Sequence, residues 1–187
     1  DVCSSDLNYE MCGIMAGWKG LIEGNIKAFD MRNVSGILHT GGTILGTSRT
    51  NPFREDNKGD PERILENIKK FNLDAIVAIG GEDTQGVAFK LSEMGVNVVG
   101  IPKTIDNDLP GTDYTFGFDT ALNIAVEAID RLHTTAESHN RVMVVEVMGR
   151  HAGWIATLAG IAGGADLILI PEKPIVMEEV YTTIKKR

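Results

Sequence analysis

From about Pro61 onward, apolar residues fall alternately at helical spacing and in short unbroken runs. That alternation predicts helices linking the strands of a parallel sheet. The first helix opens with Asp60 as its cap and Pro61 at the first helical position, and Ile64, Leu65, Ile68 and Phe71 then share one face. "DAIVAIGG", Asp74 to Gly81, is a buried strand running into glycines, and a second helix follows with Val87, Leu91 and Met94 on its inner stripe. "VNVVGIP", Val96 to Pro102, supplies the next strand. Leu122, Val126, Ile129 and Leu132 mark a longer helix; "RVMVVEVMGR" reads as a strand, "GWIATLAGIAGG" as a helix of small residues and "DLILIPE" as a last strand. The expected fold class is α/β, a Rossmann-like doubly wound parallel sheet. No internal repeat, low-complexity tract or linker marks a domain boundary within the chain.

Three strands end in polar or glycine-bearing turns, "GGEDT", "PKTIDND" and "MGRHAG". Ligands of open parallel sheets bind beyond the carboxyl ends of the strands, so these turns are expected to meet at one cleft. "GGEDT", Gly80 to Thr84, lets the backbone approach a ligand closely and opens a helix whose amides can receive phosphate oxygens. Glu82 suits Mg2+, a hard cation that prefers oxygen ligands. Taken alone, the pentapeptide reads more plainly as a strand-to-helix turn, with Thr84 as N-cap and its acids favoured by the helix dipole.

"PKTIDND" places Lys103 three residues before Asp106 and Asp108 two residues after it. Such clusters are commonly solvated surface loops. Placement directly after an apolar strand, with Thr104 and Asn107 adding hydrogen-bonding groups, favours chemistry instead. A carboxylate there can accept a hydroxyl proton as a nucleophile attacks, while lysine and metal neutralise phosphoryl charge. "MGRHAG", Met148 to Gly153, offers Arg150 to a phosphate or sugar oxygen, or is a plain cap and turn. Arg141 is either an exposed charge or an anion ligand, and His151 is more often structural than catalytic. Trp18 and Trp154 read as packing residues.

Composition narrows the function without choosing it. The chain has 187 residues, 43% of them hydrophobic, and a formal net charge of −8. It is long enough for one domain with a sizeable core, and the acidic balance speaks against broad nucleic-acid or anionic-membrane binding. No apolar run is long enough to span a bilayer, and no basic stretch precedes an apolar signal core, so a soluble cytoplasmic protein is expected. Cys3 and Cys12 form no metal-binding pattern. The first seven residues, "DVCSSDL", coincide with the translation of the adapter-like string GAC GTG TGC TCT TCC GAT CT and are expected to be a sequence artefact.

In order along the chain, "GGTILGTSR", "AIGGEDT", "GIPKTIDNDLPGTDYTFGFDTA", "AIDRLHTTAESHNR" and "VVEVMGRHAGWIA" resemble successive motifs of the phosphofructokinases. The resemblance runs from about Met11 to the C-terminus. It implies phosphoryl transfer to the 1-hydroxyl of fructose 6-phosphate, with Mg2+ and a homodimeric or homotetrameric assembly. By motif match, Asp106 would be the general base, with Thr104 and Asp108 beside it lining the sugar and metal site. Met148, Gly149 and Arg150 match the sugar-phosphate motif, and Arg141 matches an arginine that reaches a neighbouring subunit's substrate. Arg49 and Gly81, Glu82, Asp83 and Thr84 match the phosphoryl-donor side. Glu82 stands where the family usually has a metal-associated aspartate, one methylene shorter.

The donor follows from two further departures. ATP-using members typically carry glycine at the positions of Asp83 and Lys103, which leaves room for the nucleotide's inner phosphate. Asp83 would put a side chain and a like charge there, and Lys103 would fill the space while pairing with the donor's phosphates. The pair resembles the pyrophosphate-dependent branch. Some ATP users keep the lysine, so Asp83 discriminates better. The alternatives are ATP as donor, or a non-catalytic phosphometabolite-binding regulatory subunit. Another kinase with a GGDGT-like turn, such as a lipid or NAD kinase, leaves "MGRHAG" and "PKTIDND" unexplained. The family's first strand and its glycine loop, similar to GGDxPGxN, would precede Asn8, and further sugar-phosphate ligands would follow Arg187. The chain is thus expected to be a partial domain, 8–187, inactive by itself.

Overall fold

The computed structural model describes residues 9–57 and 60–186, so the seven residues expected to be foreign lie outside the described part. By their contacts the residues form two compact units, one running to Val77 and including Gly86–Val99, the other made of Ala78–Gln85 and the chain from Gly100.

The first unit opens with an antiparallel pair, β1 (Cys12–Ile14) and β2 (Ile26–Ala28), in the register Cys12↔Ala28 and Ile14↔Ile26. Between them lies α1 (Trp18–Glu23), closed by Gly24 in the left-handed conformation that glycine adopts without steric cost. Asn67 Nδ2 donates to the carbonyls of Leu21 and Ile22 at 2.8 and 2.9 Å, satisfying acceptors that a helix end leaves unpaired. Helix α2 (Met31–Val34) is held by a capping box between Asp30 and Asn33. A 3-10 turn (Glu55–Asn57) precedes α3 (Asp60–Lys70). As its spacing predicts, α3 turns Ile64 and Ile68 inward, and they join Leu21, Ile76, Val87 and Leu91 in one apolar cluster. Full burial of each such side chain stabilises the fold by roughly 1.5–3 kcal/mol.

The strands β3 (Ile76–Gly80), β4 (Val98–Thr104) and β5 (Phe116–Gly117) form a sheet in that order, and β4 and β5 run parallel. Helix α4 (Glu82–Glu93) follows β3. Its inner stripe is Val87 and Leu91; Met94 falls past the helix end and is 41% exposed. In the second unit α5 (Phe118–Ser138) packs against α6 (Trp154–Ala162), with Gly163 so close that a Cβ would come within 2.7 Å of Ile129 Cγ2. That proximity accounts for the small residues at this end of α6. The last helix is α7 (Met177–Lys186).

Two expected strands are not formed. Neither the stretch 141–150 nor 166–172 is in a strand, and Val144 is 91% exposed. An apolar run becomes a strand only when a neighbour supplies ladder hydrogen bonds, and among the described residues neither run has one.

Candidate active site

The "GGEDT" turn is built by a steric demand. β3 ends at Gly80, and a Cβ there would come within 2.6 Å of the Thr84 Cβ and 2.8 Å of its methyl, so only glycine lets α4 begin at Glu82. The Gln85 N–H already donates to the Gly81 carbonyl at 3.0 Å. Gly81 therefore stands at the cap, and Thr84, expected there, sits inside the first turn. Glu82 and Asp83 are exposed acids at the helix N-terminus, where negative charge is favoured.

The next turn touches this one. A Cβ on Gly81 would lie 3.7 Å from the Cβ of Thr104. Gln85 fastens the pair: its Nε2 donates to the carbonyls of Ala78 and Gly80 at 3.1 Å each and of Ile101 at 2.9 Å, while its Oε1 fills the space in front of Gly100. After Thr104 the chain turns through Asn107, which has a φ of 54°. Asparagine tolerates that left-handed conformation better than most residues. Its side chain is held at both ends, Oδ1 accepting from the Thr115 N–H at 2.9 Å and Nδ2 donating to the Asp113 carbonyl at 3.3 Å.

Asp106 lies half-buried between Thr104 and Asn107, its N–H donating to Thr104 Oγ1 at 3.2 Å. Its Oδ1 is buried and has no hydrogen-bond partner. An unpaired buried carboxylate oxygen is costly in a folded protein and points to a ligand or a proton-transfer role. Burial pushes the Asp106 carboxyl above its ordinary pKa, the nearby Asp108 charge adds to the rise, and Arg150 opposes it. Asp108 and Arg150 are both exposed, and Lys103 is exposed and in no ion pair among the described residues. Two carboxylates and a guanidinium thus share one electrostatic neighbourhood.

Arg150 reaches that neighbourhood from the "MGRHAG" turn, where Gly149 has a φ of 140° and Arg150 one of 51°. A Cβ on Gly149 would collide with the Ala152 carbonyl oxygen, so glycine is required beside the arginine. Glu172 Oε1 accepts from the Gly153 N–H at 2.7 Å and fixes the entry into α6. Met148 is 73% exposed. The first two turns meet, through Gly81 and Thr104, and from the third the Arg150 charge acts on the Asp106 carboxyl. Arg141 is not brought among them: it is exposed just beyond α5, with its N–H on the Ala136 carbonyl. Arg49 is exposed in the first unit, beside Ser48, whose hydroxyl donates to the Ala16 carbonyl at 2.8 Å. Among the described residues no three His, Cys, Asp or Glu side chains are grouped to cage a metal.

A family model described as Phosphofructokinase matches residues 2–187. The chain belongs to the phosphofructokinase family. Over 179 residues it is 58% identical to a pyrophosphate--fructose 6-phosphate 1-phosphotransferase of Amycolatopsis methanolica, covering 96% of this chain and 52% of the relative. It is 50% identical to ATP-dependent 6-phosphofructokinase 3 of Bacteroides thetaiotaomicron, covering 100% of this chain and 57% of that one. The pyrophosphate-dependent phosphofructokinase structure from Marinobacter aquaeolei superposes with a TM-score of 0.81 at 27% identity, over 95% of this chain and 48% of that one. The chain spans about half the length of these relatives.

In this phosphofructokinase segment, three residues near the turns carry no mark in the sequence. Gln85 lies one turn into a helix, Thr115 borders a strand of two residues, and Glu172 follows an apolar run. Each acts by hydrogen bonds to backbone distant in sequence, which residue type and spacing do not encode.

Proposed function

We propose that the protein of which this chain is part phosphorylates fructose 6-phosphate at its 1-hydroxyl with pyrophosphate as donor. The observation that carries the reading is the buried, unpartnered Oδ1 of Asp106 on the turn that touches Gly81. In this mechanism Asp106 takes the proton as the 1-hydroxyl oxygen attacks the donor's terminal phosphorus, and the bond to the leaving phosphate breaks. Thr104 and Asp108 flank the base and hold the sugar. Arg150, with Met148 and Gly149, receives the sugar phosphate, and a guanidinium suits that contact because it can pair with phosphate oxygens two at a time.

On the donor side, Gly81 and Thr84 present the start of α4 to phosphate oxygens and Lys103 supplies positive charge; Arg49 is assigned to the donor by its motif alone. Glu82 is the residue assigned to Mg2+. A site with exposed carboxylates and, among the described residues, no protein cage fits Mg2+, which keeps waters and binds largely through substrate phosphates. The ion, when bound, supplies neutralisation of phosphoryl charge. Arg141, exposed beyond α5, is assigned to the substrate of a neighbouring subunit, which makes the working protein a homo-oligomer. A cytoplasmic place in glycolysis goes with the reading.

ATP as donor is the second reading, because relatives named ATP-dependent share 50–52% identity with the chain. Initial rates of fructose 1,6-bisphosphate formation by the full-length protein, with Mg2+ and either donor, separate the two. A strong preference for pyrophosphate is expected. A preference for ATP would overturn the donor assignment, and no turnover with either would overturn the activity.

A further inference from the structure

Thr115 is the buried polar side chain among the described residues, 4% exposed, and both of its donors, the hydroxyl and the N–H, point to the turn that carries Asp106, while its carbonyl accepts from the Phe118 N–H. Its hydroxyl donates to the Thr104 carbonyl at 2.8 Å and lies 3.4 Å from Asn107 Oδ1, while its N–H donates to the same Oδ1 at 2.9 Å. Thr104 stands two residues before Asp106, and Asn107 directly after it. The carboxylate is thereby suspended between two residues that are both tied to one threonine. β5 explains why the threonine is there. It is two residues long and pairs Phe116 with Lys103 and Gly117 with Thr104, which sets Thr115 beside the end of β4.

The turn needs such a tie. Asn107 is held at φ 54°, a sparsely populated conformation that persists only when its surroundings over-determine it. Asp106 itself gives the turn a single bond, from its N–H to Thr104 Oγ1, and leaves Oδ1 unpaired. The side chain that would do the chemistry therefore does not fix its own position.

We propose that Thr115 is a positioning residue for phosphoryl transfer, its hydroxyl and N–H clamping Thr104 and Asn107 so that Asp106 is held in the attitude of a general base. The proposal rests on the assignment of Asp106 under the proposed function. Threonine suits the task because one residue supplies two donors, and its β-branch restricts the hydroxyl's directions.

The test uses the full-length enzyme with Thr115→Val, which keeps the shape and removes the hydroxyl, and Thr115→Ser, which keeps the hydroxyl. Misplacement of a reacting group by about 1 Å costs on the order of 10²-fold. Thr115→Val is therefore expected to lower kcat by about 10- to 100-fold, with KM for sugar phosphate and donor within about threefold of the unmodified enzyme. Thr115→Ser is expected to recover kcat to within a few-fold. Asn107→Gly, which accepts the positive φ but lacks the acceptor, should lower kcat in the same way even if the valine variant does not fold. Unchanged kcat in Thr115→Val or in Asn107→Gly, or a serine variant as impaired as the valine one, overturns the proposal. Hydrogen–deuterium exchange over residues 104–108 reads the clamp without turnover: Thr115→Val should speed exchange there at least about tenfold, and unchanged exchange also overturns it. An unmodified enzyme that fails to phosphorylate the sugar with either donor would instead sink the assigned function, leaving exchange to decide the clamp.

Discussion

A Cβ on Gly81 would stand 3.8 Å from the carbonyl oxygen of Lys103, so the turn carrying Asp83 and the strand end carrying Lys103 lie in contact. On the proposed reading, Asp83 and Lys103, carried by these two adjoining segments, both face the phosphoryl donor. Asp83→Gly removes a like charge there and should raise the ATP-to-pyrophosphate ratio of kcat/KM at least about tenfold, the scale of one lost unfavourable charge contact. Donor competition in the full-length enzyme measures it. A ratio that does not move would separate Asp83 from donor choice.

Much of this site was legible because its chemistry sits in turns whose glycines and acids are contiguous. "GGEDT", "PKTIDND" and "MGRHAG" follow apolar runs, and topology alone predicts their meeting. What was not legible depends on partners far along the chain. Runs 141–150 and 166–172 read as strands by composition, but a strand exists only with a paired neighbour. Thr84 reads as a cap by residue type, yet the glycine pair ahead of it shifts the helix start to Glu82. The antiparallel pairing of β1 with β2 had no marker beyond a short apolar run.

On the proposed mechanism, Asp106→Asn removes the proton acceptor while preserving the shape of the turn. Turnover should fall by about 10²- to 10⁴-fold with sugar-phosphate affinity retained. Steady-state kinetics and a direct binding titration check the two halves separately, and near-normal turnover would take the base role from Asp106.

The raised pKa of Asp106 predicts a stability signature of definite sign. In the folded state the carboxyl binds its proton more tightly than in the unfolded chain, because burial and Asp108 outweigh Arg150. Folding is therefore favoured below the unfolded value and weakens as pH rises through the folded one. Asp106→Asn, neutral at every pH, should melt higher than the unmodified protein at neutral pH, and the gap should close on acidification. Melting curves across the acid range test this; a variant less stable at neutral pH would contradict it.

Lys103 is exposed and in no ion pair among the described residues, which leaves its ammonium free for the donor contact proposed above. Lys103→Ala should lower kcat/KM for the donor by about 10²- to 10³-fold, the range for losing one charged or oriented donor to a developing negative charge. Because no protein partner is left unpaired, the melting temperature should change little. A large fall in stability with unchanged kinetics would make the lysine structural.

Gly100 tests how the two turns are fastened. The Gln85 amide oxygen occupies the position a Cβ would take at residue 100, and Gln85 Nε2 is engaged with three carbonyls, so the side chain cannot retreat without breaking bonds to Ala78, Gly80 or Ile101. Gly100→Ala should therefore destabilise the fold by about 1–3 kcal/mol, the usual range for overpacking. In a Gln85→Ala background the obstacle is gone, and the same substitution should cost much less. Urea midpoints for the four proteins of the cycle give the coupling directly. Additive costs would mean that Gln85 yields freely and does not hold β3, α4 and β4 together at the site.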